Sequence, residues 1–501
     1  MIRRNNIWRF LEIVPGVVTW LTLFLPIAAS FFWPAGVATF VLVFDLYWLY
    51  KSILMGYHLV SGYYHYRRDL KIDWLKKCRS LKKDPSFLNC QDIYQAIIFA
   101  TYKEEIDTLM PSFEAILNSD FPKKRIIVVL ATERRDYLRA QKNAQILTKA
   151  FGKKFFKFLV TVHSDIPGEV KAKGANVRWA GKILQKYITF QKIPLENVIV
   201  TTCDADSRLH PKYLSSLTYH YATNPNRIHR SFQPIPLYSN NIWQAPPFSR
   251  IIAFGNSFWQ LIEATRPWRL INFSTHAMSL KTLVEMDFWD TTVVNEDSRQ
   301  FWRAYFKFNG DHEVVPIFIP VYMDAVLAEN FWQTLKNQYL QKRRWFYGVE
   351  HFPYVVTQSL EKKQIALLDR LVKIYRLFEA NYSIATASIY LAVIGWLPIV
   401  FGPGFRETVL AQNLPIIIRG LLGFTWLGLV TSMIISTLLL PPRPQGFRKR
   451  KYLEMISQWI LIPITAIFFS SIPAIDAQTR LMFGKYMTFR VTQKKVISQT
   501  A

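Results

Sequence analysis

The stretch NVIVTTCDAD, residues 197–206, decides how the rest of the chain is read. Its first seven residues are largely apolar or β-branched and carry no charge, which predicts a buried strand. Asp204 and Asp206 follow at once, so two alternating carboxylates stand at the strand's carboxyl end. Three more short runs rich in β-branched or aromatic residues precede it, at 94–100, 125–131 and 155–162. Segments with helical spacing, over 107–118, 137–151 and 173–187, lie between them. Strand–helix alternation predicts an α/β domain with a mostly parallel sheet covered on both faces. In such sheets ligands bind outside the carboxyl ends of the strands, so functional residues are expected just after these runs.

The chain around this domain reads differently. Of 501 residues, 50% are hydrophobic and only 19% charged, a mixture that suggests membrane spans joined to a soluble part. Residues 13–44 carry no charge, too long a run for one span of about 20 residues. Trp33-Pro34 divides it, predicting spans over 11–32 and 34–54. Asp45 falls within the second; an intramembrane ionisable group is a functional candidate, and pairing with a polar group of another helix is the competing reading. Two further charge-free segments cover 381–401 and 420–440, while 456–475 contains Pro463 and Pro473.

Charge orients these segments. Residues 62–83 hold eight Lys/Arg against two Asp, and 441–452 hold five Lys/Arg and no acid. The connection 402–413 has only Arg406, opposed by Glu407. By the positive-inside rule both basic stretches are cytosolic, the 402–413 loop is outside, and the middle domain is cytosolic. The tail carries Arg480, Lys485, Arg490, Lys494 and Lys495, so charge places 456–475 in the interface rather than across it. The expected organisation is an N-terminal hairpin (1–60), a basic linker with an interface helix (61–89), the α/β domain (90–350), an interface helix (351–380), a C-terminal hairpin (381–440), a basic loop with an interfacial or re-entrant segment (441–480), and a tail (481–501).

A sequence pI near 9.8 suits a nucleic-acid binder, but the basic clusters flank membrane segments, where anionic lipid attracts them. No nucleic-acid partner is expected. Nine histidines show no H-x-x-x-H or Cys/His spacing, which argues against a zinc enzyme. The three cysteines form no C-x-x-C pair and suit a reducing compartment.

Three groups carry chemistry. Asp204 and Asp206 at a strand end supply hard oxygen ligands for Mg2+ or Mn2+ bridging protein and phosphates. Glu296 and Asp297 precede a helical segment over 298–308; they are either a general base or acids favoured at a helix N-terminus. In QKRRW (341–345), helical spacing puts Gln341, Arg344 and Trp345 on one face. Arg344 could stabilise a diphosphate and Trp345 stack on a sugar; the alternative is an amphipathic helix on anionic lipid. His276, Phe258 and Trp259 are core residues or acceptor-channel lining, and the sequence leaves both open.

In that order, D-x-D, an E-D pair and Q-x-x-R-W resemble the membrane-integrated family 2 glycosyltransferases, the group of cellulose and hyaluronan synthases. The resemblance implies a cytosolic GT-A-type, Rossmann-like catalytic domain inserted between transmembrane hairpins. It implies that Asp204 and Asp206 engage the nucleotide diphosphate and its Mg2+ or Mn2+, that Asp297, with Glu296 beside it, is the catalytic base, and that Gln341 and Arg344 bind the diphosphate while Trp345 lines the acceptor site. AIIFATYKEE (96–105) resembles the family's first strand and its T-Y-x-E end, so Thr101, Tyr102 and Glu104 would hold the uridine of a UDP-sugar. KAKGANVRWA (171–180) resembles its K-x-G-N-type segment, making Lys173 a donor contact. Where the family often has D-D-G this chain offers only Glu133, and N-E-D replaces T-E-D. FRVTQKK (489–495) resembles the F-x-V-T-x-K gating loop of the cellulose synthase branch, with Thr492 and Lys494 reaching the diphosphate.

The implied reaction is inverting, metal-dependent transfer from a nucleotide-sugar donor to a growing polysaccharide, coupled to export. Alternatives are transfer of one sugar to a lipid or lipid-linked acceptor, and a non-catalytic membrane scaffold. Expected partners are the donor, a glycan or lipid-linked acceptor and membrane lipids, with room for a homo-oligomer or export partner because four crossings are few for a polymer channel. The expected location is the plasma (inner) membrane, multi-pass, with catalytic domain and both termini cytosolic.

Overall fold

The computed structural model describes residues 6–82 and 84–488. Eight strands form one sheet: β1 (Tyr94–Ala100), β2 (Ile126–Glu133), β3 (Lys157–His163), β4 (Val198–Asp204), β5 (Arg208–Leu209), β6 (Arg230–Leu237), β7 (His276–Ser279) and β8 (Glu313–Tyr322). Their order is β3-β2-β1-β4-β7-β6-β8-β5. All four apolar runs of the sequence become strands. Helices Ile106–Leu117, Tyr137–Phe151 and Lys173–Phe190 connect β1 through β4 as crossovers, and this half is parallel throughout. The chain runs outward from β1 to β3 and then returns to β4 on the other side of β1. That reversal opens a crevice at the carboxyl ends of β1 and β4.

The second half departs from the parallel expectation. β7 is antiparallel to both β4 and β6, β5 is antiparallel to β8, and only β6 and β8 pair in parallel. The sheet is therefore mixed. Helices Tyr213–Thr223 and Pro247–Ala264 follow β5 and β6, yet β6 and β7 pair antiparallel and β5 pairs with β8 rather than β6.

Alternation along β1 and β2 sends side chains to two cores. Ile97, Phe99, Val128 and Leu130 face Leu109 and Phe113 on one side. Ala96, Ile98, Ile127 and Val129 face Val177 and Leu184 on the other. Burying each of these larger apolar side chains contributes about 1.5–3 kcal/mol. Cys78, Cys90 and Cys203 are buried and free.

Helices Asn6–Phe32 and Pro34–Lys71 meet at Trp33, as the Trp-Pro break requires. The second continues well past residue 60, and its Gly62 touches helix Pro247–Ala264: a Cβ at Gly62 would lie 2.5 Å from the Leu261 carbonyl oxygen. Among the described residues four helical segments are long and apolar enough to cross a membrane: Asn6–Phe32, Pro34–Lys71, Val409–Leu438 and Lys451–Met482. The expected span over 381–401 is not among them. A helix runs from Leu367 to Ala392, breaks at Val393, and resumes only as Leu397–Phe401, because Gly395 and Pro398 interrupt the ladder. In place of one interface helix over 351–380 there are two, His351–Glu361 and Leu367–Ala392.

Lys451–Met482 is helical throughout, with a π turn at Ile467–Ser471. Pro463 and Pro473 each sit in the first turn of a piece, where a missing N–H is tolerated. This stretch touches the α/β domain along its length. Arg250 donates to Glu454 and Gln458 at 2.6 Å each. Phe469 stacks on Phe248 at 5.6 Å. Asp476 accepts from Tyr339 and Arg343 at 2.9 Å each.

Candidate active site

The crevice at β1 and β4 holds most of the residues singled out in the sequence. Lys173, first residue of its helix, projects under the end of β4. Its Nζ donates to Asp204 Oδ1 at 2.8 Å and lies 3.6 Å from Asp297 Oδ1 and 4.0 Å from Glu296 Oε1. One ammonium thus gathers three carboxylates from two separate elements. Burial disfavours that ammonium, but Asp204, Asp297 and Glu296 outweigh it and hold Lys173 well above the ordinary lysine value. Gly174 makes the approach possible: a Cβ there would lie 2.5 Å from the Asp290 carbonyl oxygen and 3.1 Å from Glu296 Cβ.

Glu296 and Asp297 open helix Glu296–Lys307. Burial pushes both carboxyls up, Glu296 with the added repulsion of Asp297. The His276 Nδ1 lies 3.6 Å from Asp297 Oδ1 and donates to the Phe273 carbonyl at 3.1 Å. Burial, with Lys173 close by, pulls His276 down to about 3, so the imidazole beside Asp297 is neutral. The sequence left His276 between core and acceptor-channel lining; it is buried beneath the cluster, against Asp297, and does not line the cavity.

Asp204 Oδ2 accepts from Ser274 at 2.5 Å, and Asp206 Oδ2 accepts the Asp324 N–H at 3.2 Å. Both carboxylates line the cavity. Among the described residues no group of three or more His, Cys, Asp or Glu side chains forms a metal cluster. Two hard carboxylates fit Mg2+ or Mn2+ as ions that also bind phosphate oxygens and water.

At the far edge, Glu104 accepts from Thr101 Oγ1 at 3.0 Å and the Tyr102 N–H at 2.5 Å, closing a tight turn after β1. Burial pushes Glu104 up to about 7. Arg135 Nε donates to Glu133 Oε2 at 2.7 Å, and its guanidinium lies 4.3 Å from the Tyr102 ring centroid. Glu133, alone where two aspartates were expected, is therefore bound to a neighbouring arginine.

Helix Phe331–Phe346 carries Gln341, Arg344 and Trp345, capped by the Asn330 side chain. Arg344 feels Asp204, Glu296 and Asp297, and all three helix residues line the same cavity. Trp345 meets Tyr238 and Phe273, ring centroids 6.2 and 5.9 Å apart. Phe258 and Trp259 line the cavity from helix Pro247–Ala264. The cavity, about 2470 Å3, continues from these groups to Asp45, Ser52, Ser383, Gly428 and Ser432 on the apolar helices. Thr492 and Lys494 lie outside the described residues.

Two site residues escaped the sequence reading. Tyr238 follows β6, buried, its hydroxyl without a partner among the described residues; the strand-end rule could have found it. Ser274 had no signal, yet it holds Asp204; Asn295, the residue that replaces Thr in the N-E-D motif, donates to the Arg344 carbonyl at 3.0 Å.

Residues 199–469, more than half of the chain, match the family model described as glycosyl transferase family group 2. No curated protein matches the chain. Among solved structures, the mannosyltransferase PcManGT from Pyrobaculum calidifontis in complex with GDP-Man and Mn2+ is similar at 12% identity and a TM-score of 0.42, covering 78% of this chain and 99% of that one. S. aureus TarS 1–349 gives 11% identity, a TM-score of 0.31, and coverage of 69% and 91%. GalNAc-T7 with UDP, GalNAc and Mn2+ gives 11%, 0.30, and 66% and 58%.

Proposed function

Because the chain belongs to glycosyl transferase family group 2, we propose that it transfers a sugar, with inversion, from a UDP-sugar to a growing polysaccharide at the cytosolic face of a membrane. The observation that carries this reading is the continuous cavity. It joins the Lys173–Asp204–Asp297 cluster to hydroxyl-bearing positions Ser52, Ser383 and Ser432 on the apolar helices.

In this reaction the acceptor hydroxyl oxygen bonds to the anomeric carbon as the bond from that carbon to the diphosphate breaks. Asp297 takes the hydroxyl proton, a role suited to a carboxylate whose affinity for protons is raised. Lys173 and Arg344 offset charge on the departing diphosphate. Thr101, Tyr102, Glu104 and Glu133 position the nucleoside, Gln341 the diphosphate, and Trp345 the acceptor ring. Asp204 and Asp206 would hold a Mg2+ or Mn2+ ion, which would supply further neutralisation of leaving-group charge. Thr492 and Lys494 act on the diphosphate from the tail.

The catalytic domain and both termini are cytosolic in this reading, in a multi-pass protein of the plasma membrane. Basic stretches at 62–83 and 441–452 support that orientation. So do the contacts of Glu454, Phe469 and Asp476 with the α/β domain, which suit a stretch lying along the interface. A second reading, one sugar added to a lipid-linked acceptor, is favoured by the apolar helices that border the cavity.

The test is the product. Purified full-length protein is given Mg2+ or Mn2+ and a panel of nucleotide sugars, scoring nucleoside diphosphate release and product length. A ladder of polymer is expected with one donor. Singly glycosylated lipid as sole product overturns the polymer reading.

A further inference from the structure

The motif QKRRW contains three consecutive cations whose surroundings differ. Arg343 is paired with Asp476. Arg344 faces the carboxylates of the reaction centre. Lys342 is 8% exposed, lines the cavity, and has no carboxylate within ion-pair distance among the described residues. Its ammonium donates to the Asn256 side-chain oxygen at 3.1 Å and lies 5.4 Å from the Trp345 ring centroid and 4.8 Å from that of Phe346. Burial alone, with no compensating charge, pulls its affinity for a proton down.

A buried ammonium without a counter-ion is costly, and an amide oxygen with two aromatic faces offsets only part of that cost. Where such a group faces a cavity, a ligand anion relieves it. Further along the same wall the cations already have counter-ions, Lys51 in Glu379 and Arg266 and Arg269 in Glu263, so Lys342 is the exception.

We propose that Lys342 is a specificity residue that binds an anionic group of the acceptor beside Trp345: the carboxylate of a uronic acid, or a phosphate of a lipid-linked sugar. The inference rests on the transferase reading above and names the class of acceptor for that same site. A neutral acceptor leaves the ammonium uncompensated, so the site discriminates by charge.

The experiment uses full-length protein in lipid nanodiscs and two matched pairs of acceptors. One pair is an oligosaccharide bearing a uronic acid next to its non-reducing end, and its carboxyl-reduced neutral counterpart. The other is a sugar linked to farnesyl diphosphate and the neutral farnesyl glycoside of the same sugar. Discrimination is the ratio of kcat/KM within each pair. Wild type is expected to favour the uronate by about tenfold or more, through KM. In Lys342→Met the ratio falls toward unity, and in Lys342→Arg it is largely retained. Discrimination in the phosphate pair alone, lost in Lys342→Met, also supports the proposal and identifies phosphate as the anion. A Lys342→Met ratio equal to wild type in both pairs overturns it, since a lysine that merely positions Trp345 slows both members equally. Nucleoside diphosphate release with transfer to none of the four acceptors overturns the transferase reading and this proposal with it. Transfer to neutral and anionic members alike overturns the proposal only.

Discussion

The two ends of the cavity handle charge in opposite ways. Where β1 and β4 stop, opposite charges are already in place: Lys173 lies among Asp204, Asp297 and Glu296, and Glu133 is held by Arg135. Beyond Trp345, Lys342 has an amide and two rings but no carboxylate among the described residues. The first end is arranged before substrate arrives, so little reorganisation accompanies bond breaking. The second is incomplete without its ligand. In the proposed reaction the former would supply catalytic power and the latter the choice of acceptor.

The most direct way to break this contrast is Asp297→Asn. Removing the base should lower kcat by about 10²–10⁴-fold while leaving donor affinity nearly unchanged, as measured by turnover and nucleotide titration. Because burial raises the Asp297 carboxyl, the wild-type rate should climb with pH along an acidic limb lying above the ordinary aspartate value of about 3.9. A limb at or below that value counts against Asp297 as the base. Gly174→Ala tests how tightly the paired end is built. Its Cβ would overlap the Asp290 carbonyl and crowd Glu296, an overpacking that costs about 1–3 kcal/mol. A lowered Tm with kcat reduced more than donor KM is raised would locate the strain at the Lys173–Glu296 approach. The smallest effect is expected from Glu133→Gln. Half of the Arg135 pair survives as a hydrogen bond, so donor KM should rise only a few-fold, less than loss of a whole charge-assisted bond would give. Unchanged kcat would confirm that this edge binds without taking part in bond breaking.

The parallel half of the sheet was legible because its signals are local. Runs such as YQAIIFA and NVIVTTC are buried on both faces, and the amphipathic segments between them impose direction. The same strand-end logic pointed to Asp204 and Asp206, which line the crevice, whereas Thr101 was singled out through the family resemblance alone. The other half depends on long-range pairing. β7 is only His276–Ser279, too short for a periodic pattern, yet its arrival beside β4 sets Ser274 on Asp204 and His276 beside Asp297. Lys342 was illegible for a related reason. A run of three cations reads as solvated surface, and nothing in its spacing says that helix Pro247–Ala264 will cover one of them. The helix break at Val393 turns on Gly395 and Pro398 inside an otherwise unbroken apolar run.

Gly62 carries a mechanical consequence. At that point the second apolar helix and helix Pro247–Ala264 meet backbone to backbone, with no side chain between them to slide or compress. Arg250, on that same soluble-domain helix, is clamped to Glu454 and Gln458 on the other side. The reaction plane is thereby held at a fixed height relative to the apolar helices, like a tool bolted to its bench. In the proposed reaction, a product leaving through this cavity would advance by its own displacement rather than by rocking of the domain that made it.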